Sequence, residues 1–121
     1  MVVMKRFAPV VLVALAAASS ASAKGGAQAH LLRPLPTRAT PGMLITVRWK
    51  VDVPGESGNR VGLSAVGMFV RLVGPGGAST VAAAREKVGP PYSARIRVPK
   101  GGIRLVRFGV AGTTPFYFPL E

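Results

Sequence analysis

Apolar and polar residues alternate with a period of two through much of the chain between residues 43 and 118. Because neighbouring side chains of a β-strand point to opposite faces, this pattern predicts strands with one buried and one solvated side. The clearest example is MLITVRWKVDV, residues 43–53, which places Trp49 in the middle of its apolar face. An indole in that position is expected to fill the core between two stacked sheets.

Further strands are predicted on both sides of this segment, separated by turns rich in glycine and proline. They are AHLLRPLPTRA (an edge strand with an irregular end), SAVGMFVRLV, STVAAAR, PPYSARIRV, IRLVRFGV and a short last strand at FYF. The segment 54–62 is predicted as an exposed loop, and 74–77 (GPGG) as a tight turn. About seven short strands at this spacing predict an all-β fold, an immunoglobulin-like sandwich.

Two finer predictions concern the second half of the chain. In SAVGMFVRLV the alternation predicts that Phe69 and Arg71 face outward. Met68, Val70 and Leu72 are then predicted to face the core. In IRLVRFGV the alternation slips at Leu105 and Val106. A β-bulge at that point would reconcile the two halves of the strand.

The first 23 residues have the composition of a secretory signal peptide. Lys5 and Arg6 precede the apolar run FAPVVLVALAAA, and small residues then lead to an Ala-Ser-Ala site ending at Ala23. The run is too short to span a bilayer comfortably, so cleavage is expected, with no transmembrane span afterwards. Residues 24–121 then form one secreted or extracytoplasmic domain of the cell envelope. Two alternatives remain open, which are cleavage after Ala29 and retention of the segment as an anchor.

Charge adds a candidate partner to this picture, because the formal net charge is +12 and only four residues are acidic. Several basic residues lie on the predicted solvated faces, and the candidate anion-contacting set is Arg48, Lys50, Arg71, Arg95 and Arg97. A half-buried sheet explains why these residues face outward, but it does not explain why all of them are positive. Like charges on neighbouring strands are destabilising, so an outer face with one sign of charge needs a further reason.

A basic plate would form if two of these strands were neighbours. It would bind anionic polymers or a membrane surface weakly and in a salt-sensitive manner. An envelope protein is the alternative partner. Nucleic acid is disfavoured, because the chain is expected to be exported and Phe69 is the only outward aromatic residue assigned to these strands.

Candidate catalytic chemistry is sparse in this sequence. There is no cysteine, so disulfides, thiolate catalysis and cysteine metal sites are all excluded. After the first 23 residues the chain offers one histidine, one aspartate and three glutamates, and no serine lies in a Gly-x-Ser-x-Gly elbow. The sequence therefore predicts a non-enzymatic binding or accessory module with no catalytic residues and no cofactor.

Three segments resemble parts of a known group of small secreted immunoglobulin-like domains, the YtkA-like and FixH-like kind. PPYSARIRVPKGGIRLVRFGV resembles the end of those domains, GMFVRL their third strand and PGMLITVRWKV their second strand. The resemblance implies a secreted β-sandwich. The methionine- and histidine-rich stretch that follows the third strand in that group is missing here, so the resemblance carries no metal-linked role to this chain.

A second resemblance is to CopC-type periplasmic copper carriers, and it depends on AQAHLLRPLP. Cleavage after Ala29 would make His30 the first residue, and its amine and imidazole would suit Cu(II). This resemblance implies an alternative function, a copper carrier with His30 as a metal ligand. His30 is the only histidine and Asp52 the only aspartate, so the other histidine ligand of that family has no counterpart.

Overall fold

The computed structural model describes residues 26–36 and 38–120, and these residues form strands, turns and loops with one 3-10 turn at Pro75–Gly77. The predicted signal peptide lies outside the described residues. Among the described residues no helix is long and apolar enough to cross a membrane. The eight strands are β1 (Gln28–Leu31), β2 (Leu44–Pro54), β3 (Arg60–Gly62), β4 (Met68–Val73), β5 (Ser79–Ala83), β6 (Tyr92–Arg97), β7 (Leu105–Val110) and β8 (Phe116–Phe118).

The strands form two antiparallel sheets of four strands each. In the first sheet β2 is central, because Trp49 pairs with Leu31 of β1 on one edge and with Tyr92 of β6 on the other. β3 pairs with the far end of β2, on the same edge as β6. The second sheet has the order β5-β4-β7-β8. The predicted all-β sandwich is therefore confirmed, with eight strands where about seven were expected.

The core between the sheets is built around Trp49, which is fully buried as the alternation predicts. Its ring stacks on Phe108 of the second sheet, with centroids 4.9 Å apart, and on Tyr92 of its own sheet at 5.8 Å. The apolar positions of β2, β4 and β6 fill the space around these rings. The three stacked rings thus join the two layers through one continuous apolar contact.

Two sequence predictions about strand geometry are wrong. The loop predicted at 54–62 ends in the short strand β3, which forms a hairpin with the end of β2. The bulge predicted at Leu105–Val106 is absent, because β7 pairs with β4 in an uninterrupted register from Leu105 to Val110. The strand begins at Leu105 and leaves that side chain half exposed on the outer face, so no extra residue is needed to restore the alternation.

Candidate functional site

Four of the five predicted anion-contacting residues lie on one outer face of the sandwich. Arg48 and Lys50 belong to β2 and Arg95 and Arg97 to β6, and these strands are direct neighbours. We call this surface the basic face. The strand-neighbour condition for a basic plate is therefore met in the first sheet.

The register of β2 and β6 staggers these positive charges. Arg95 lies opposite Thr46, and Arg48 lies opposite Ser93, so no two basic residues of the basic face are direct cross-strand partners. Diagonal neighbours on a sheet are about 7–8 Å apart, compared with 4.5–5.5 Å for direct partners, which reduces repulsion between the cations. The register therefore limits the repulsion among the four cations of the basic face.

The cations of the basic face have few partners within the described part of the chain. Arg97 donates a hydrogen bond from Nη1 to the carbonyl oxygen of Gly42, at 2.9 Å. None of the four forms an ion pair with a described carboxylate. Lys50, Arg95 and Arg97 are exposed and Arg48 is half-buried, so anions in solution have access to this surface.

Two carboxylates beside the basic face, those of Glu86 and Asp52, already have hydrogen-bond partners. Glu86 accepts hydrogen bonds from the Ser93 backbone N–H at 2.7 Å and from the Ser93 hydroxyl at 2.6 Å. Burial alone would raise the pKa of Glu86, but these hydrogen bonds lower it below its ordinary value. Asp52, at the end of β2, is held by a separate cluster.

That cluster joins Asp52 to His30 and Arg60, which come from three neighbouring strands. His30 Nε2 lies 2.8 Å from Asp52 Oδ2, and Arg60 Nε donates to Asp52 Oδ1 at 2.9 Å. Arg60 also donates from Nη2 to the carbonyl oxygen of Gly26, at 2.9 Å, which ties the segment before β1 to β3. Asp52 was predicted to lie on the solvated side of its strand, and it does face outward, but these two side chains cover it and leave it 7% exposed.

The Asp52 cluster makes stability depend on pH. Burial would raise the pKa of Asp52, but the hydrogen bonds from Arg60 and His30 lower it below its ordinary value. A lowered folded-state pKa means that the unfolded chain binds more protons at acid pH, so this contribution is present above about pH 4 and is lost as the pH falls through the folded-state pKa.

We expect Asp52→Asn to lower the free energy of unfolding at pH 7 by about 1–2 kcal/mol, since a charge-assisted hydrogen bond is replaced by a neutral one. The difference between wild type and variant should shrink in urea unfolding curves measured from pH 7 down to pH 3. The control is Glu56→Gln, at an exposed position in the 55–59 loop, and its unfolding curves should match the wild type. A constant difference at every pH would contradict this role for the Asp52 charge.

The fifth predicted residue, Arg71, lies on the opposite outer face of the sandwich. It belongs to β4, where its direct cross-strand partner is Arg107 of β7. Arg71 Nε donates to the Tyr117 hydroxyl at 2.9 Å, and the Arg107 guanidinium lies 3.8 Å from the centroid of the Tyr117 ring. Burial and, to a smaller extent, the charge of Arg71 lower the pKa of Arg107. The five candidates therefore divide into a group of four and a separate arginine–tyrosine cluster.

Tyr117 is the residue of this cluster that sequence reasoning missed. Phe69 was assigned as the only outward aromatic residue, and it does lie on the outer face, where it is 8% exposed. Tyr117 lies on the same face and meets the Phe69 ring edge-on at 5.5 Å, above Gly109, whose missing side chain leaves room for the Phe69 ring. Period-two alternation in Phe116-Tyr117-Phe118 was the signal that could have found it.

The metal-ligand inventory of the described residues is small. No group of three or more histidine, aspartate and glutamate side chains lies together among them. The alternative copper ligand, His30, is placed beside Asp52, where Arg60 already contacts the carboxylate. A metal ion at this pair would have to compete with a guanidinium for the aspartate.

Comparison of the chain with protein-family models, with curated proteins and with solved structures finds no match.

Proposed function

We propose that this protein is a non-enzymatic, extracytoplasmic module that binds anionic material of the cell envelope through its basic face. The observation that carries the proposal is the alignment of Arg48, Lys50, Arg95 and Arg97 on two neighbouring strands, with no carboxylate paired to them in the described part of the chain. The recognised chemistry is a repeated phosphate or carboxylate, as found in membrane headgroups and in charged envelope polymers.

The geometry favours loose association over a specific pocket. The basic face is a sheet surface with exposed side chains, and long-range attraction between exposed charges is screened over about 8–10 Å at 0.1–0.15 M salt. Arg97, which is anchored on Gly42, is the member of the set with a fixed position. Binding should therefore be salt-sensitive and should increase with the charge density of the partner.

A non-enzymatic role is supported by the partners of the ionisable groups. General acid–base catalysis needs a titratable group within hydrogen-bond reach of a substrate proton. His30 and Asp52 are the pair that approaches this arrangement, but Asp52 is enclosed by His30 and Arg60. This cluster is better explained as the attachment of β1 and β3 to β2.

Copper transport is the weaker candidate. It requires His30 as the first residue, yet Ala27 and Ala29 are buried in the core, and the Ala29 N–H donates to the Pro119 carbonyl oxygen at 2.8 Å. Cleavage after Ala29 would remove these contacts and half of β1. Intact mass of the secreted protein separates the candidates, because a chain that begins at His30 and takes up one Cu(II) would favour copper.

The basic face is tested by binding to vesicles with and without phosphatidylglycerol, and to soluble polyphosphate, at several salt concentrations. Each basic residue near an anionic membrane contributes about 1 kcal/mol, so Arg95→Ser combined with Arg97→Ser should weaken vesicle binding about 30-fold at low salt. Binding to vesicles alone would indicate headgroups as the partner, and binding to polyphosphate alone would indicate a polymer.

The matched control is Lys100→Ser combined with Arg104→Ser, which removes the same charge from exposed positions outside the basic face. The control pair should retain most of the binding. Equal losses for the two pairs would show that net charge, and not this surface, produces the attraction.

A further inference from the structure

The outer face of the second sheet, opposite to the basic face, contains a groove of about 360 Å³. Its walls are mostly apolar, with one guanidinium, and include Phe69, Arg71, Val81, Ala83, Ala111 and Pro115. The volume lies within the usual range for small-molecule sites, which combine apolar walls with a few placed polar groups. Val81 is half exposed, so an apolar wall of this groove is in contact with solvent.

Arg71 is held in one position by residues from two other strands. Its Nε donates to the Tyr117 hydroxyl of β8 at 2.9 Å, and its Nη1 donates to the Ser79 hydroxyl of β5 at 3.0 Å. Its Nη2 has no hydrogen-bond partner among the described residues. A guanidinium that is fixed in advance loses little side-chain entropy when it binds an anion.

The charge around the groove is unbalanced. Arg71 and Arg107 are direct cross-strand partners, an arrangement that is destabilising for two like charges. The strands β4, β5, β7 and β8 contain no aspartate or glutamate to offset them. An anion placed beside Arg71 would relieve this repulsion, so the site is complementary to negative charge.

The groove is elongated, with Arg71 at one end and Gly67 and Ala111 at the other. Gly67, next to Ala111, precedes Arg71 by four residues along the chain, which corresponds to about 13 Å of extended strand. The apolar walls run between these points. The groove is therefore long and apolar with one cation at its end, whereas the basic face carries several spaced cations.

From this arrangement we propose that the groove binds a small amphiphile with a single carboxylate head and one apolar chain. The carboxylate pairs with Arg71 at its Nη2, and the chain lies along Phe69, Val81 and Ala83 toward the loop at 111–115. The ligand is a single dissolved molecule and not a lipid within a bilayer. A bilayer presents many headgroups at once, which matches the several cations of the basic face on the opposite side of the sandwich.

The experiment titrates octanoate, below its micelle concentration, into the isotope-labelled protein and follows backbone amide shifts. The largest saturable shifts should occur at Gly67, Ala111 and Gly112. Octanol and octylamine, which lack the negative head, should bind at least about tenfold more weakly, because a charge-assisted hydrogen bond is lost. Shifts scattered over the basic face, or equal affinity for octanol, would overturn the proposal.

Matched variants separate this site from the basic face. Arg71→Gln should weaken octanoate binding by about tenfold or more, and Arg95→Gln, which removes the same charge from the other sheet, should leave it unchanged. Since Arg71 also bridges β5 and β8, Ala83→Phe is the second variant, because it fills the groove from an exposed position and should abolish binding with the fold intact. Unaltered affinity in Ala83→Phe would overturn the proposal, whether or not Arg71→Gln folds.

Phosphatidylglycerol vesicles provide the last arm of the test. If Arg71→Gln and Ala83→Phe weaken vesicle binding while octanoate produces no saturable shift, the groove recognises a lipid surface and the free-amphiphile proposal is wrong. If only the variant with Arg95→Ser and Arg97→Ser loses vesicle binding, the result supports the basic face as the vesicle-binding surface. The octanoate titration then decides the groove proposal by itself.

Discussion

Replacement of Trp49 by alanine is expected to lower the free energy of unfolding by about 3–5 kcal/mol, the usual cost of truncating a fully buried large aromatic side chain. The indole is completely buried between the sheets and stacks on Phe108 of the opposite sheet and Tyr92 of its own. Because both rings are fixed by their strands, the cavity left by the substitution can collapse only in part. A domain of this size is stable by about 5–15 kcal/mol, so the variant should lie near the limit of folding.

Urea unfolding followed by far-ultraviolet circular dichroism measures this effect without the tryptophan signal. The control is Val88→Ala, at a side chain that is 76% exposed, and its midpoint should match the wild type. A loss below about 1 kcal/mol for Trp49→Ala would show that the indole does not join the two layers.

Replacement of Tyr92 by phenylalanine is expected to cost about 2–3 kcal/mol, although it removes a single oxygen atom. The buried hydroxyl donates to the Leu63 carbonyl oxygen at 2.7 Å and accepts from the Ala65 N–H at 3.0 Å. Both backbone groups belong to the connection between β3 of the first sheet and β4 of the second. Each partly buried group left without a partner carries a desolvation penalty of about 1–3 kcal/mol unless water replaces the hydroxyl.

The matched control for this substitution is Tyr117→Phe, which also removes one hydroxyl but at a half-buried position on the outer face. It should cost less than about 1 kcal/mol, because water can take the place of the hydroxyl beside Arg71. Hydrogen exchange should show faster opening of the 63–67 segment in Tyr92→Phe only. Equal costs for the two variants would indicate that the Tyr92 hydroxyl does not anchor this connection.

The two proposed surfaces differ in the number and setting of their charges. The basic face has four cations on an open sheet, which suits a dense polyanion. The groove has one fixed guanidinium at one end and apolar walls along the rest of its length. They lie on opposite faces, so substitutions in one are expected to leave the other unchanged, as distant sites with no shared partner usually behave independently.

Much of the architecture could be read from local pattern. The alternation in 43–53 predicted β2 and its buried Trp49, and the same reasoning placed the apolar side of β6 correctly. It failed where the strand boundary mattered, at Leu105, because the apolar positions alone did not show that the strand begins there with an exposed leucine. It also failed at 54–62, where three residues at the end of a polar loop pair with β2.

The candidate sites depended on contacts that the pattern does not contain. The sequence listed Arg71 with Arg48, Lys50, Arg95 and Arg97, since all five lie on the outward side of their strands. Strand pairing then placed four of them together and moved Arg71 to the other sheet, beside Tyr117. Likewise, the only aspartate and the only histidine come together through the pairing of β1 with β2, although 21 residues separate them along the chain.

What the sequence determined by itself is therefore which side of β2, β4 and β6 faces the core, because alternation is a local property in which every second side chain points the same way. What the tertiary structure decided is which strands are neighbours and which sheet each joins. Those choices depend on the closing of long loops and on the packing of Trp49, Tyr92 and Phe108, which are far apart in the chain. Charge patterns that span several strands, such as the basic face, therefore depend on which strands are neighbours.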